Sequence, residues 1–552
     1  MNPKPGTSRR INTLLRLWMV LSALALLLPA VRAAAQSGGS TLYLPLVSKS
    51  QVRPITAVLK WAYGGCYTSW CETGWYSSPA VLDIDGNGRS EIIASAYSLW
   101  ALNGETGALV WRSGGTNHRT WPGVVVADLD RDGTSEIVIA QSGGLVSAYR
   151  PDGSLKWQKQ PSGGTGEFRG LLVADLDGNN GSLEVIVTRA YGSARNTWVL
   201  DSGGNTRAGW PQLPLDSGNP NGYAWGVYNA NAAAANLTGD ARLELVVPSD
   251  VHYINVYQPD GATLPANAVD YPGKTWGQVG VWESLIPEKR GWGACDGTRV
   301  ESYRANFADG PAAIADLNGD GTREVVVTGN MYDCDAGYPP SRFIALYIFN
   351  ADRSRFNAGG FDWRAIPVDT GAPISEDYDV IETAQSNPVI ADLDGDGLQE
   401  ILFASYDGRL HAFWLDKSEH ENWPYAVYNP AEGFYRFASE PLAADLNGDG
   451  KAEVLFTSWA QKGSGARGKL HILAWNGTPL VEMDLPAPRS ASITWNGALP
   501  APTLANVDAD ADLELIVNTA YAGVVVYDLP GSAGAAVQWG TGRGSFRRDA
   551  AR

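Results

Sequence analysis

The residues best suited to chemistry in this chain are acidic, and they recur at one spacing. Eight segments begin at residues 83, 128, 175, 236, 316, 392, 445 and 506. Asp83-Ile-Asp-Gly-Asn-Gly-Arg-Ser-Glu91 shows the pattern: carboxylates or amides at positions 1, 3 and 5, usually glycine at position 6, glutamate at position 9. Oxygens at alternating positions can wrap around one hard cation, and glycine permits the sharp turn. Position 7 would add a backbone carbonyl. Calcium tolerates such an irregular oxygen cage, whereas magnesium demands a strict octahedron with retained waters. An EF-hand is excluded, because its glutamate falls at position 12 between helices.

The flanks say what must position these loops. Each is preceded by a short apolar run, such as Val124-Val125-Val126, and followed by another, such as Ile137-Val138-Ile139. Runs this short and uninterrupted, bounded by turns, read as buried strands rather than amphipathic helices. Each loop therefore joins two strands of a hairpin. A second hairpin follows, as in Ser98–Asn103 with Gly107–Trp111, or Leu145–Tyr149 with Ser154–Trp157. Four strands in about 45 residues make one propeller blade. The expected fold is an all-β propeller of eight four-stranded blades, or seven if one degenerate unit leaves its sheet incomplete. Val58-Leu59-Lys60-Trp61 reads as an outer strand without its own blade, placed to pair with the last one and close the ring.

The loop spacing resembles that of the FG-GAP/VCBS repeat proteins, the propeller family that includes the integrin α-subunit head. The resemblance covers roughly residues 56 to 540. Carried over position by position, it implies calcium ligands Asp83, Asp85, Asn87 and Glu91 in the first loop, and Asp128, Asp130, Asp132 and Glu136 in the second. It implies Asp316, Asn318, Asp320 and Glu324 in the fifth, Asp392, Asp394, Asp396 and Glu400 in the sixth, and Asp445, Asn447, Asp449 and Glu453 in the seventh. Three loops depart. The third has an extra residue, so Asp175, Asp177, Asn179 and Glu184 need an altered path. The fourth offers Asn236, Thr238, Asp240 and Glu244, with Ala241 where glycine belongs. The eighth offers Asn506, Asp508, Asp510 and Glu514, again with alanine at position 6. Calcium is expected in five to seven loops, least of all in the fourth, in a structural role.

Other segments carry organisation. Met1–Ala35 reads as a secretory signal peptide: Lys4, Arg9, Arg10 and Arg16, then apolar Leu17–Val31, then Ala33-Ala34-Ala35 as a cleavage site. Residues 36–55 read as a linker, 56–540 as the propeller, and 541–552 as a C-terminal tail. Export makes the chain secreted or surface-bound and favours disulfides. Cys66 with Cys71, and Cys295 with Cys334, is the expected pairing, one of three the sequence allows. The spacings around the fifth loop, 80 and 76 residues, imply insertions at about 256–311 and 331–385. Insertions in propellers fall in loops on a face, where binding resides. Trp276, Trp282, Trp292 and Trp363 there are candidate ligand-stacking residues.

Composition narrows the function. The net charge of −17 over 552 residues argues against nucleic acid as a partner. Glycine (63), tryptophan (21) and tyrosine (23) are abundant and methionine (4) scarce, as in a turn-rich β protein. No Gly-x-Ser-x-Gly elbow, His-Glu-x-x-His or phosphate loop occurs, and the five histidines lack metal-ligand spacing. The segment Ala101–Trp111 resembles the tryptophan-docking hairpin of quinoprotein propellers and suits an anchor between blades. The expectation is a non-catalytic binding or adhesion module for protein or polysaccharide. A polysaccharide-active enzyme of the rhamnogalacturonan-lyase type is the alternative, and a quinoprotein-like dehydrogenase a third.

Overall fold

The computed structural model describes residues 53–552 apart from 67–70, 73, 191–194, 213–230, 285–301, 308–309, 334–341, 368–371, 376, 378–379 and 381–386. The signal segment, Trp292, Cys295 and Cys334 lie outside the described residues. Eight antiparallel sheets follow one another, each opening on an acidic loop between its first two strands. Blade 1 is Ala80–Leu82, Glu91–Ser95, Leu99–Asn103 and Leu109–Ser113; blade 2 is Val125–Ala127, Glu136–Gln141, Leu145–Tyr149 and Leu155–Lys159. Blades 3 and 4 begin at Phe168–Ala174 and Ala233–Ala235 and have three strands each among the described residues. Blade 5 begins at Ala312–Ala315; its second strand, Glu324–Asp333, runs long and also pairs with the hairpin Trp282–Ser284 and Ser302–Asn306. Part of the first insertion thus extends a blade. Blades 6, 7 and 8 begin at Val389–Ala391, Leu442–Asp445 and Thr503–Ala505.

The ring closes as expected. Val58–Gly64 pairs with Val524–Leu529 and supplies the fourth strand of blade 8. Second strands such as Glu136–Gln141 are buried along their whole length, because each blade is covered by two neighbours. Cys66 and Cys71 form a disulfide.

A tryptophan circuit locks blade to blade. Trp61, Trp111, Trp157, Trp210, Trp276, Trp363 and Trp423 each donate Nε1–H to a backbone carbonyl in the next blade, at 2.8–2.9 Å. The acceptors are Gly104, Pro151, Ser202, Pro259, Ala351, Leu415 and Trp475. Gly107 shows why these turns need glycine: its φ is +69°, and a Cβ there would lie 2.7 Å from the ring of Trp61. The docking hairpin is visible once in the sequence, yet among the described residues it operates seven times, since the acceptor is backbone and leaves no residue signature.

The axis of the ring holds the C-terminus. Innermost strands have one edge with no blade partner, and their polar groups must be satisfied. Ala536–Trp539 pairs with Leu442–Asp445 of blade 7. Onward, Gly540 accepts from Leu504 N–H, Phe546 from Val126, Arg547 from Val173, Asp549 from Ala234 and Ala550 from Ile314. Gln538 exchanges two hydrogen bonds with the backbone of Asp392. Arg548 donates to the carbonyls of Ser78, Pro79, Val124 and Gly542. Every blade is touched. The segment 541–552 is therefore a built part of the propeller core, with Arg548 and Ala550 buried.

Candidate functional site

The acidic loops share one internal scaffold. In all eight, Oε2 of the closing glutamate accepts the backbone N–H of position 2, from Ile84 to Glu91 through Val507 to Glu514, at 2.6–3.2 Å. One carboxylate oxygen pins the loop, which leaves Oε1 for the interior of the turn. Aspartate at position 1 accepts the N–H of position 6 in six loops, from residues such as Gly88, Gly397 and Gly450. Loops 4 and 8 have asparagine at position 1. Ala241 is forced to a φ of +75° that glycine adopts freely.

Carboxylate oxygens converge to within 4.8 Å in four of the expected sets: Asp83, Asp85 and Glu91; Asp128, Asp130 and Glu136; Asp392, Asp394 and Glu400; Asp508, Asp510 and Glu514. Loop 6 tests whether these residues fit a cation. Glu400 is fully buried and its Oε1 has no hydrogen-bond partner. Burial pushes Glu400 up to about 9, and the charges of Asp394, Asp396 and Asp392 add to the rise against the pull of the Leu393 N–H. Burial likewise raises Glu324 and Glu453 to about 7. A buried, unpaired oxygen among three aspartates fits a cation, which would keep the set ionised. Loops 5 and 7 differ: Asn318 donates to Asp320, and Asn447 donates to Glu453. In loop 4, Thr238 donates to Glu244 and Arg242 pairs with Asp240. Three other loops already hold a cation of the chain. Lys156 lies 2.7 Å from both Asp130 and Glu136, Arg207 pairs with Asp177 and Glu184, and Lys60 pairs with Asp508 and Glu514.

The opposite face carries a cleft. Loops 74–76, 96–98, 114–119 and 519–523 lie at the ends of the strands away from the acidic turns. They enclose about 680 Å³, lined by Trp75, Tyr76, Tyr97, Arg119 and Tyr521. All five are half-buried. Trp75 meets Tyr521 edge-on at 5.4 Å and Trp495 at 6.0 Å. It holds a φ of +111°, a strained backbone of the kind that clusters at functional sites. Tyr76 stacks on Trp121 at 3.8 Å, and the Arg119 guanidinium lies over both rings. Arg119 is fixed by two hydrogen bonds to Glu167. Gln141 braces the wall through the carbonyls of Tyr97 and His118.

The candidate stacking tryptophans of the insertions sit elsewhere. Trp276 and Trp363 are fully buried members of the docking circuit, so neither offers a ring face to a ligand. Trp282 is half-buried against His252, 4.2 Å away. The cleft aromatics Trp75, Tyr76, Tyr97 and Tyr521 come from three separate segments, and clustering along the chain could not find them.

Among the histidines, His411 is buried between Asp407 at 3.2 Å and Glu419 at 3.0 Å. Burial opposes its charging, but the hydrogen bonds and charges of the two acids outweigh it and raise His411 to about 9. Unfolded, an imidazole titrates near 6.5. The stabilisation is therefore full below about pH 6.5 and lost as pH rises through about 9. His411→Gln is expected to cost on the order of 3 kcal/mol at pH 6. Urea unfolding of both proteins at pH 6 and 9.5 checks this; a difference that does not shrink at high pH would refute the charged pair.

Residues 392–456, which span the sixth and seventh acidic loops, match the model of an FG-GAP-like repeat. No curated protein matches the chain. Among solved structures, the V. cholerae biofilm matrix protein Bap1 is similar at 15% identity and a TM-score of 0.39, over 88% of this chain and 93% of that one. An exotype rhamnogalacturonan lyase, YesX, is similar at 16% identity and a TM-score of 0.44, over 86% of this chain and 75% of that one. The quinohemoprotein alcohol dehydrogenase of Comamonas testosteroni is similar at 13% identity and a TM-score of 0.40, over 88% and 78%. None of these likenesses bears on what the chain binds. The protein is an eight-bladed β-propeller carrying an FG-GAP-like repeat.

Proposed function

We propose that this propeller is an exported, calcium-stabilised binding module that takes a polysaccharide in the aromatic cleft opposite its acidic loops, without chemistry on it. The cleft carries this reading. Half-exposed tryptophan and tyrosine rings beside a fixed guanidinium suit the apolar faces and hydroxyls of sugars. Arg119 is bound to Glu167 and stacked on aromatic rings, which suits orientation better than proton abstraction. The acidic loops face the other way and serve stability. Asp83, Asp85 and Glu91, and Asp392, Asp394 and Glu400, would hold calcium through oxygen alone.

The test mixes the protein with acidic and neutral polysaccharides in millimolar calcium and follows co-sedimentation and ultraviolet absorbance. Sedimentation without new absorbance is expected. Trp75→Ala and Tyr521→Ala should each weaken binding about tenfold, the value of one stacked ring. Thermal melts of the variants separate lost binding from lost folding. Absorbance from unsaturated sugars would make the protein a lyase, and unchanged binding in both variants would move the site elsewhere. In parallel, chelator should lower the melting midpoint; an unchanged midpoint would remove calcium.

A further inference from the structure

We propose that Lys156, Arg207 and Lys60 are resident counter-cations that take the place of the metal ion in loops 2, 3 and 8, so that calcium is confined to the other cages. This rests on the calcium reading of the loops. Loop 2 makes the case most clearly. Its four carboxylates equal those of loop 6, and by sequence it is among the two richest cages. Lys156 Nζ nevertheless lies 2.7 Å from Asp130 Oδ2 and 2.7 Å from Glu136 Oε1, the oxygens of positions 3 and 9. In loop 3, Arg207 donates to both oxygens of Asp177 at 3.0 Å and reaches Glu184 Oε1 at 2.8 Å. In loop 8, Lys60 contacts Asp508 and lies 3.5 Å from Glu514 Oε1. Each cation reaches both the position-3 aspartate and the closing glutamate, and Lys156 hydrogen-bonds to both.

The register explains how. Lys60 and Lys156 immediately precede the docked tryptophans Trp61 and Trp157, and Arg207 lies three residues before Trp210. Docking of the indole fixes the outer strand, and the residue before it falls over the acidic turn of its own blade. Elsewhere that residue is Val110, Thr275, Asp362 or Asn422, none of them a cation. Among the described residues, Oε1 of Glu400 in loop 6 has no hydrogen-bond partner; Oε1 of Glu514 in loop 8 has none either, but Lys60 lies 3.5 Å from it. A divalent ion entering loop 2 would have to displace an ammonium held by two carboxylates, or sit beside it as a like charge.

The experiment counts calcium bound to the full chain by equilibrium dialysis with elemental analysis. Asp394→Asn is expected to lose one equivalent and Asp130→Asn none. Lys156→Met should gain one equivalent and Lys156→Arg none. Loss of an equivalent in Asp130→Asn would overturn the proposal while leaving calcium in place. A folded Lys156→Met that gains nothing would overturn it too. Should Lys156→Met fail to fold, Asp130→Asn still decides. If the wild type binds no calcium, that reading falls; an ion acquired by Lys156→Met would then support the proposal, and none would overturn it.

Discussion

Deletion of Ala536–Arg552 is expected to leave the propeller unable to fold to a stable state. The segment fills the axis and hydrogen-bonds to the inner strands, or to residues flanking them, in every blade. Without it, strand-edge groups of eight blades face a channel that water must fill, and the buried side chains Trp539, Arg543, Arg548 and Ala550 are removed from the core. Arg548 concentrates the effect in one residue. Its guanidinium is buried, donates to four backbone carbonyls and to the Thr541 hydroxyl, and has no carboxylate partner at hydrogen-bond distance among the described residues. Burial lowers it to about 9, so the fold keeps a costly charge for the sake of its geometry. Arg548→Ala leaves those carbonyls unpaired and should cost about 4 kcal/mol, at about 1–3 kcal/mol for each lost partner less what relaxation and water recover. Arg548→Lys should be nearly as harmful, because a single ammonium cannot reproduce the planar fork. Urea unfolding of the full chain, the truncated chain and both variants measures this. A truncated chain with the midpoint of the full one would show that the axis tolerates water.

The second large effect lies in the docking circuit. Trp276→Ala and Trp363→Ala should each cost about 3–5 kcal/mol, the range for truncating a buried aromatic. Phenylalanine at either position should cost about 1 kcal/mol for the hydrogen bond to Ala351 or Leu415, and more where the smaller ring leaves a void. Both alanine variants should bind polysaccharide normally wherever they remain folded. Trp75→Ala should do the reverse. A folded Trp276→Ala that lost binding would return the ligand site to the insertions.

The blades were legible because their information is local. Nine residues of an acidic turn, with apolar runs on either side, specify a hairpin whatever the rest of the chain does, and eight copies specify a ring. The closing strand at Val58–Gly64 was legible too, since an apolar run without a partner must find one. The roles of Trp276 and Trp363 were not, because exposure is a property of the packed ring. A Lys-Trp pair at 60–61 and again at 156–157 was the available signal for the resident cations. Its meaning depends on the docked indole carrying the lysine over a turn some twenty residues away in blade 2.

Sequence alone determined the all-β class, the repeat, the order of strands within a blade and the oxygen-rich character of every loop, since each is set by residues within one hairpin of each other. Tertiary structure decided which loops are left open to an ion, where the aromatic face lies and what fills the axis. Those outcomes depend on groups brought together across blades, and in the axis mainly on backbone carbonyls and amides, which every residue but proline supplies alike.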